Sequence, residues 1–121
     1  MKYLYVFLLA SIISCNNPSN LKPNQLRIGT FKTFIKDGNY ESLATRNDSI
    51  QIETFDKKKD TFYIKWKSNF EYILLKKNPK NDLDKKEFIV KITGVKQNSY
   101  TFTAYFKGSN YKQKGKAIKI N

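Results

Sequence analysis

Histidine is absent from the 121 residues, and Cys15 is the only cysteine. The commonest general base and metal ligand is therefore missing, and no disulfide can form within the chain. The acidic candidates Glu53 and Glu71 lie among lysine and glutamine, and not in the apolar pocket that a glycosidase-like acid needs. The sequence therefore predicts no catalytic residue, no metal site and no cofactor.

Arginine is also scarce, although the formal net charge is +13. Only Arg27 and Arg46 are arginine among the 23 basic residues. Proteins that bind nucleic acid usually depend on arginine, whose planar guanidinium contacts phosphate and guanine in a bidentate manner. We therefore expect no nucleic-acid partner. Two interpretations of the lysines remain open, a merely solvated surface and an attraction to anionic lipid or polysaccharide.

The longest apolar run, from Tyr3 to Ile13, is too short for a membrane-spanning helix of about 20 residues. It follows the basic start Met1-Lys2, as in a secretory signal peptide. The run ends in Ile12-Ile13-Ser14-Cys15, which resembles the lipobox of bacterial lipoproteins. That resemblance implies a signal peptide over residues 1–14, cleavage between Ser14 and Cys15, and acyl chains on Cys15.

Residues 15–25 are polar and interrupted by proline, which is typical of a flexible tether and not of a folding element. An Asp directly after Cys15, the feature resembling an inner-membrane retention signal, is missing. An acidic cluster resembling a surface-export signal is missing as well. We therefore expect a lipid-anchored protein of the cell envelope, on the outer membrane and facing the periplasm.

From Leu26 onward, apolar and polar residues alternate with the period of two that is typical of β-strands. Short turn-forming segments divide residues 26–121 into eight predicted strands: 26–35, 40–46, 49–56, 61–67, 70–76, 87–95, 99–107 and 115–120. Connections this short predict antiparallel hairpins. The expected fold is an all-β meander, monomeric, and closed either as a small lipocalin-like barrel or as a two-layer sandwich.

Trp66, the only tryptophan, alternates in phase with Phe62 and Ile64. We expect it to point inward, with Phe70 and Tyr72 close by. Strands of about seven residues would enclose an interior that side chains mostly fill. The aromatic residues are accordingly interpreted as core, with a ligand cavity as the alternative.

Several segments together resemble a family of short envelope lipoproteins of the Bacteroidota. They are Gly29-Thr30-Phe31, the run from Thr45 to Glu53 with Arg46, Asp48, Gln51 and Glu53, Lys65-Trp66, and Glu71-Tyr72 followed by Leu74. Members are often labelled DNA topoisomerase IV, but this sequence has no nucleotide-binding loop and far too little chain for that activity. Many members resemble one another in a cysteine pair that this chain lacks. The resemblance implies no established activity.

Arg46, Gln51 and Glu53 form the polar candidate site of the sequence. Gln51 and Glu53 lie on one face of their predicted strand, and hairpin pairing can bring Arg46 near Glu53. One interpretation is a surface ion pair between strands, worth less than about 1 kcal/mol. The other is a polar face that binds a carboxylate or a sugar.

The functions that remain are non-catalytic. The first is a structural or interaction module, tethered to the membrane through Cys15 and contacting an envelope protein or an anionic polymer. The alternative is a lipocalin-like protein that binds a small apolar ligand.

Overall fold

Eight antiparallel strands close into a barrel in the computed structural model, which describes residues 19–35 and 40–121. Each strand pairs with its neighbours in sequence, and β1 pairs with β8. The strands are β1 (Gly29–Ile35), β2 (Tyr40–Arg46), β3 (Ile50–Phe55), β4 (Lys58–Ser68), β5 (Glu71–Lys76), β6 (Phe88–Val95), β7 (Ser99–Phe106) and β8 (Gln113–Lys119). The prediction of an antiparallel all-β fold is confirmed, and of the two expected forms the protein adopts the barrel. The predicted signal peptide and Cys15 lie outside the described residues.

The β3–β4 hairpin differs from the prediction because its turn has only two residues. Asp56 and Lys57 have φ angles of 46° and 69°, and Phe55 pairs directly with Lys58. Two positive φ angles in succession define the tight hairpin turn whose twist matches that of the flanking strands. Strand β4 therefore begins at Lys58 and not at residue 61, and the lysines expected in a loop extend the strand.

The segment before the barrel is also different from the prediction, because Pro23–Arg27 forms a short helix, α1. Its first turn is fixed by the side chain of Gln25, which accepts a hydrogen bond from the Lys22 backbone N–H at 2.8 Å. Leu26 is fully buried against the core. Five residues cannot hold a helix in water by themselves, so this packing stabilises it. The interpretation of residues 23–25 as tether is therefore wrong, and β1 begins at Gly29 instead of residue 26.

The inward face of the barrel follows the predicted alternation. On β4 and β5 the side chains of Ile64, Tyr72 and Leu74 are buried, and Trp66 packs partly buried against them. Phe70 is an exception, since it lies in the β4–β5 turn and is 48% exposed. The predicted start of this strand at residue 70 is therefore wrong, because Phe70 belongs to the turn and β5 begins at Glu71.

The two ends of the barrel are not equivalent. Helix α1 covers one end, where Leu21 donates a backbone hydrogen bond to Lys96 O at 2.9 Å. A single 3-10 helix (Leu83–Lys85) lies in the β5–β6 connection at the opposite end. No helix in residues 19–35 and 40–121 is long and apolar enough to span a bilayer.

Candidate ligand-binding cavity

The interior contains a cavity of about 500 Å³. Apolar side chains form much of its wall: Ile35, Ala44, Leu74, Phe88, Val90 and Phe102. The cavity forms because inward side chains on two adjacent strands are small, namely Thr33 on β1 and Ser42 and Ala44 on β2. Side chains therefore leave part of the interior open, in line with the alternative of a ligand cavity. Barrels of this strand number stay filled only where the inward residues are large.

The cavity is closed at the α1 end and open at the other. At the closed end, Lys119 Nζ donates to Gln25 O at 2.9 Å and also contacts Ile28 O, which fixes α1 on the rim of the barrel. At the open end, Tyr40 and Tyr111 line the cavity and are 38% and 62% exposed. Among the described residues, the cavity therefore meets solvent on the side of the two tyrosines.

Arg46, the last residue of β2, lines the closed end of the cavity and is only 4% exposed. Its guanidinium donates to Tyr100 Oη at 2.7 Å and to Leu26 O at 3.1 Å. Its Cζ atom lies 4.2 Å from the centroid of the Phe31 ring and 4.9 Å from that of Tyr72. These contacts hold the cation by hydrogen bonds and by the negative faces of aromatic rings.

Gln51 and Glu53 lie beside Arg46 on the adjacent strand. Gln51 is paired in register with Arg46, and Glu53 with Ala44. Gln51 is 2% exposed, and its Nε2 donates to Glu53 Oε1 at 3.2 Å. The structure therefore brings the three predicted residues together inside the barrel. Their interpretation as an ion pair on the surface is wrong.

Opposing effects act on the pKa of the Glu53 carboxyl. Burial raises the pKa of its carboxyl, whereas the positive charge of Arg46 and the hydrogen bond from Gln51 oppose that rise. Loss of water around a carboxylate disfavours its charged form. Glu53 is therefore easier to protonate than an exposed glutamate.

Tyr72 and Tyr100 complete the polar end of the cavity. Their hydroxyl oxygens are 3.1 Å apart, and burial raises the pKa of Tyr72 well above its usual value. Sequence reasoning took Tyr72 only as core and missed the role of Tyr100. The sequence did contain a signal for this polar end, because Ser42, Ala44 and Arg46 alternate in phase along β2. That phase places the Arg46 cation inside the barrel, where it needs polar partners.

Metal ligands are not gathered at this site. In the described part of the chain, no group of three or more Asp, Glu, His or Cys side chains could hold a metal ion. The arrangement is instead a pocket with apolar walls, an open end and one buried polar end.

Comparisons with known proteins give few similarities to this β-barrel. No family model matches the chain, and no solved structure matches it. Two curated proteins are similar to it, the probable polyketide synthases 31 and 34 of Dictyostelium discoideum, each 32% identical over 88 residues, or 69% of this chain. The chain spans about 3% of the length of these relatives. By its fold and its cavity, the protein belongs to the class of small antiparallel β-barrels with an internal pocket.

Proposed function

We propose that the barrel binds a small, largely apolar ligand in its interior, in the manner of a lipocalin. The observation that carries the proposal is the cavity of about 500 Å³ between apolar walls. Ligand pockets commonly measure about 300–1,000 Å³ and combine apolar walls with a few polar groups. The closed end at Arg46 and the open end at Tyr111 fit a ligand that enters lengthwise.

Energetics support a ligand in this space. Contact between water and the apolar walls of an open cavity costs about 25 cal/mol per Å² of apolar surface. A bound apolar molecule would recover part of that cost, because it restores contacts and displaces water. We propose binding and not catalysis, since the described lining pairs Glu53 with no second carboxyl, as a glycosidase-like mechanism needs.

Filling the cavity is expected to abolish ligand binding. Ser42→Phe places a ring in the space beside Ala44, whereas Leu43→Phe places the same ring on the outer face of the same strand. The neutral dye N-phenyl-1-naphthylamine, whose emission increases in apolar surroundings, serves as the probe. The full chain and Leu43→Phe should bind the dye with similar affinity, seen as enhanced fluorescence. The affinity of Ser42→Phe for the dye should be at least about tenfold lower, which is about 1.4 kcal/mol.

Circular dichroism of both variants provides the folding control. Equal binding by a folded Ser42→Phe and by Leu43→Phe would place the dye on the outer surface and contradict the proposal. Absence of dye binding by the unmodified chain would favour the other function, a structural or interaction module that contacts an envelope protein or an anionic polymer.

We also propose that Cys15 anchors the barrel in the cell envelope, on the periplasmic face of the outer membrane. The support is the segment Ile12 to Cys15, which resembles a lipobox. Each buried methylene of an acyl chain contributes about 0.8 kcal/mol, so two or three chains make the attachment effectively permanent.

Cys15→Ser is therefore expected to move the protein out of the membrane fraction or to leave it unprocessed. Membrane fractionation followed by mass determination of the processed chain measures both effects. Ser14→Ala is the matched control, since it keeps a small residue before the cleavage point and should remain lipid-anchored. A Cys15→Ser variant that is processed normally and still sediments with membranes would refute the anchor.

A further inference from the structure

Arg46 is a buried cation without an acidic partner among the residues that the structure describes. Among the described residues, no carboxylate oxygen lies within 4.0 Å of its guanidinium nitrogens. Its Nε is buried without a hydrogen-bond partner. A buried charge normally has a counter-ion, because loss of water costs several kcal/mol per ion. The charge of Arg46 at the closed end of the cavity is therefore not balanced by any described carboxylate.

The groups that do surround the guanidinium cannot neutralise it. Leu26 O and the Tyr100 hydroxyl are uncharged acceptors. The rings of Phe31 and Tyr72 supply only partial negative charge through their faces. A carboxylate would supply a full charge and can accept two parallel hydrogen bonds from a guanidinium.

We infer that the ligand is an aliphatic monocarboxylic acid, bound with its carboxylate at Arg46 and its chain directed toward the open end. The inference rests on the proposed function of the cavity and specifies the class of ligand. Strand β2 has 7 residues, so Tyr40 at the open end and Arg46 are about 20 Å apart along the strand. That length, between walls such as Leu74 and Val90, suits a medium alkyl chain.

Among the described residues that line the cavity, Glu53 is the one acidic side chain, and its negative charge disfavours the binding of a carboxylate. An ionised Glu53 would repel a second carboxylate and partly satisfy Arg46 at longer range. Burial, which raises the pKa of Glu53, lowers the cost of protonating it when an acid enters. Glu53→Gln removes this competition and should therefore strengthen the binding of an acid but not that of an alcohol.

Decanoic acid and 1-decanol provide the test, because they share an alkyl chain and differ in the charged head. Isothermal titration calorimetry on the full chain at neutral pH gives the ratio of their affinities. Arg46→Gln should reduce the preference for the acid at least about tenfold, as expected for loss of hydrogen bonds to a charged group. Lys116→Gln is the control, because Lys116 is an exposed cation on the outer face of β8 that does not line the cavity. Its affinity ratio should equal that of the unmodified chain.

The outcomes separate the two proposals. An unchanged ratio in a folded Arg46→Gln would overturn the carboxylate assignment and leave the binding function intact, whereas failure of both probes to bind the unmodified chain would overturn both. If circular dichroism shows Arg46→Gln to be unfolded, the affinity ratio of Glu53→Gln for the acid and the alcohol tests the inference instead. A severalfold increase in the preference for the acid supports the inference, and an unchanged preference overturns it.

Discussion

Phe31→Ala is expected to lower the free energy of unfolding by about 3–5 kcal/mol, the usual cost of truncating a buried aromatic residue. Phe31 is 0% exposed, and its ring packs edge-on against Tyr100 with centroids 5.7 Å apart. The ring also lies under the cations of Arg46 and Lys119. Its loss removes packing and leaves the buried guanidinium less well compensated. Because whole domains are stable by only about 5–15 kcal/mol, much of the population should unfold.

Phe34→Ala is the matched control for this prediction. Phe34 lies on the opposite face of β1 and is only partly buried. The same chemical change should therefore cost about 1 kcal/mol, the typical effect of a single substitution. Urea denaturation followed by circular dichroism gives both values. Equal losses for the two phenylalanines would contradict the assignment of Phe31 to the inside of the barrel.

Trp66→Ala is expected to cost about 3 kcal/mol, at the lower end of the range for aromatic truncation, because the ring is only partly buried. The indole ring lies 4.7 Å from the Tyr72 ring and beneath the guanidinium of Arg27, whose Cζ is 5.1 Å from the ring centroid. Arg27 is the last residue of α1. Truncation should therefore loosen both the core and the helix that closes the barrel.

Lys65→Ala, one residue away on the outer face, should change the stability little, since Lys65 is exposed. Fluorescence supplies an independent measurement. The Trp66 indole nitrogen is buried, so we expect blue-shifted emission that iodide barely quenches. A red-shifted, easily quenched emission together with a stable Trp66→Ala variant would show instead that the ring is an exposed binding platform.

The fold could be predicted from the sequence because its determinants are local. Alternation such as Phe62, Ile64 and Trp66 defines a strand, and turns too short for parallel crossovers force antiparallel pairing. Eight such strands with one apolar face must cover that face, which leaves a barrel or a sandwich. The choice between the two depends on whether β1 pairs with β8, a contact between the ends of the sheet that no local pattern encodes.

Helix α1 and the cavity could not be predicted, for different reasons. Five residues carry too weak a helical signal, and α1 exists because Leu26 fits the end of the barrel. The cavity depends on the summed volumes of side chains from several strands. The small residues Thr33, Ser42 and Ala44 therefore predict a cavity only when the register of the strands is known. The inward position of Arg46, by contrast, was predictable, because Arg46 alternates in phase with the inward residues Ser42 and Ala44 along β2.

The central claim, that the barrel holds its ligand inside, can be tested directly by nuclear Overhauser contacts between bound N-phenyl-1-naphthylamine and labelled methyl groups. The cavity is lined by the methyl groups of Ala44, Leu74 and Val90, whereas Ile52 and Leu75 are more than a third exposed on the outer face. We predict contacts from the aromatic protons of the dye to the three inner residues and none to the two outer ones. Contacts confined to Ile52 and Leu75 would contradict the claim.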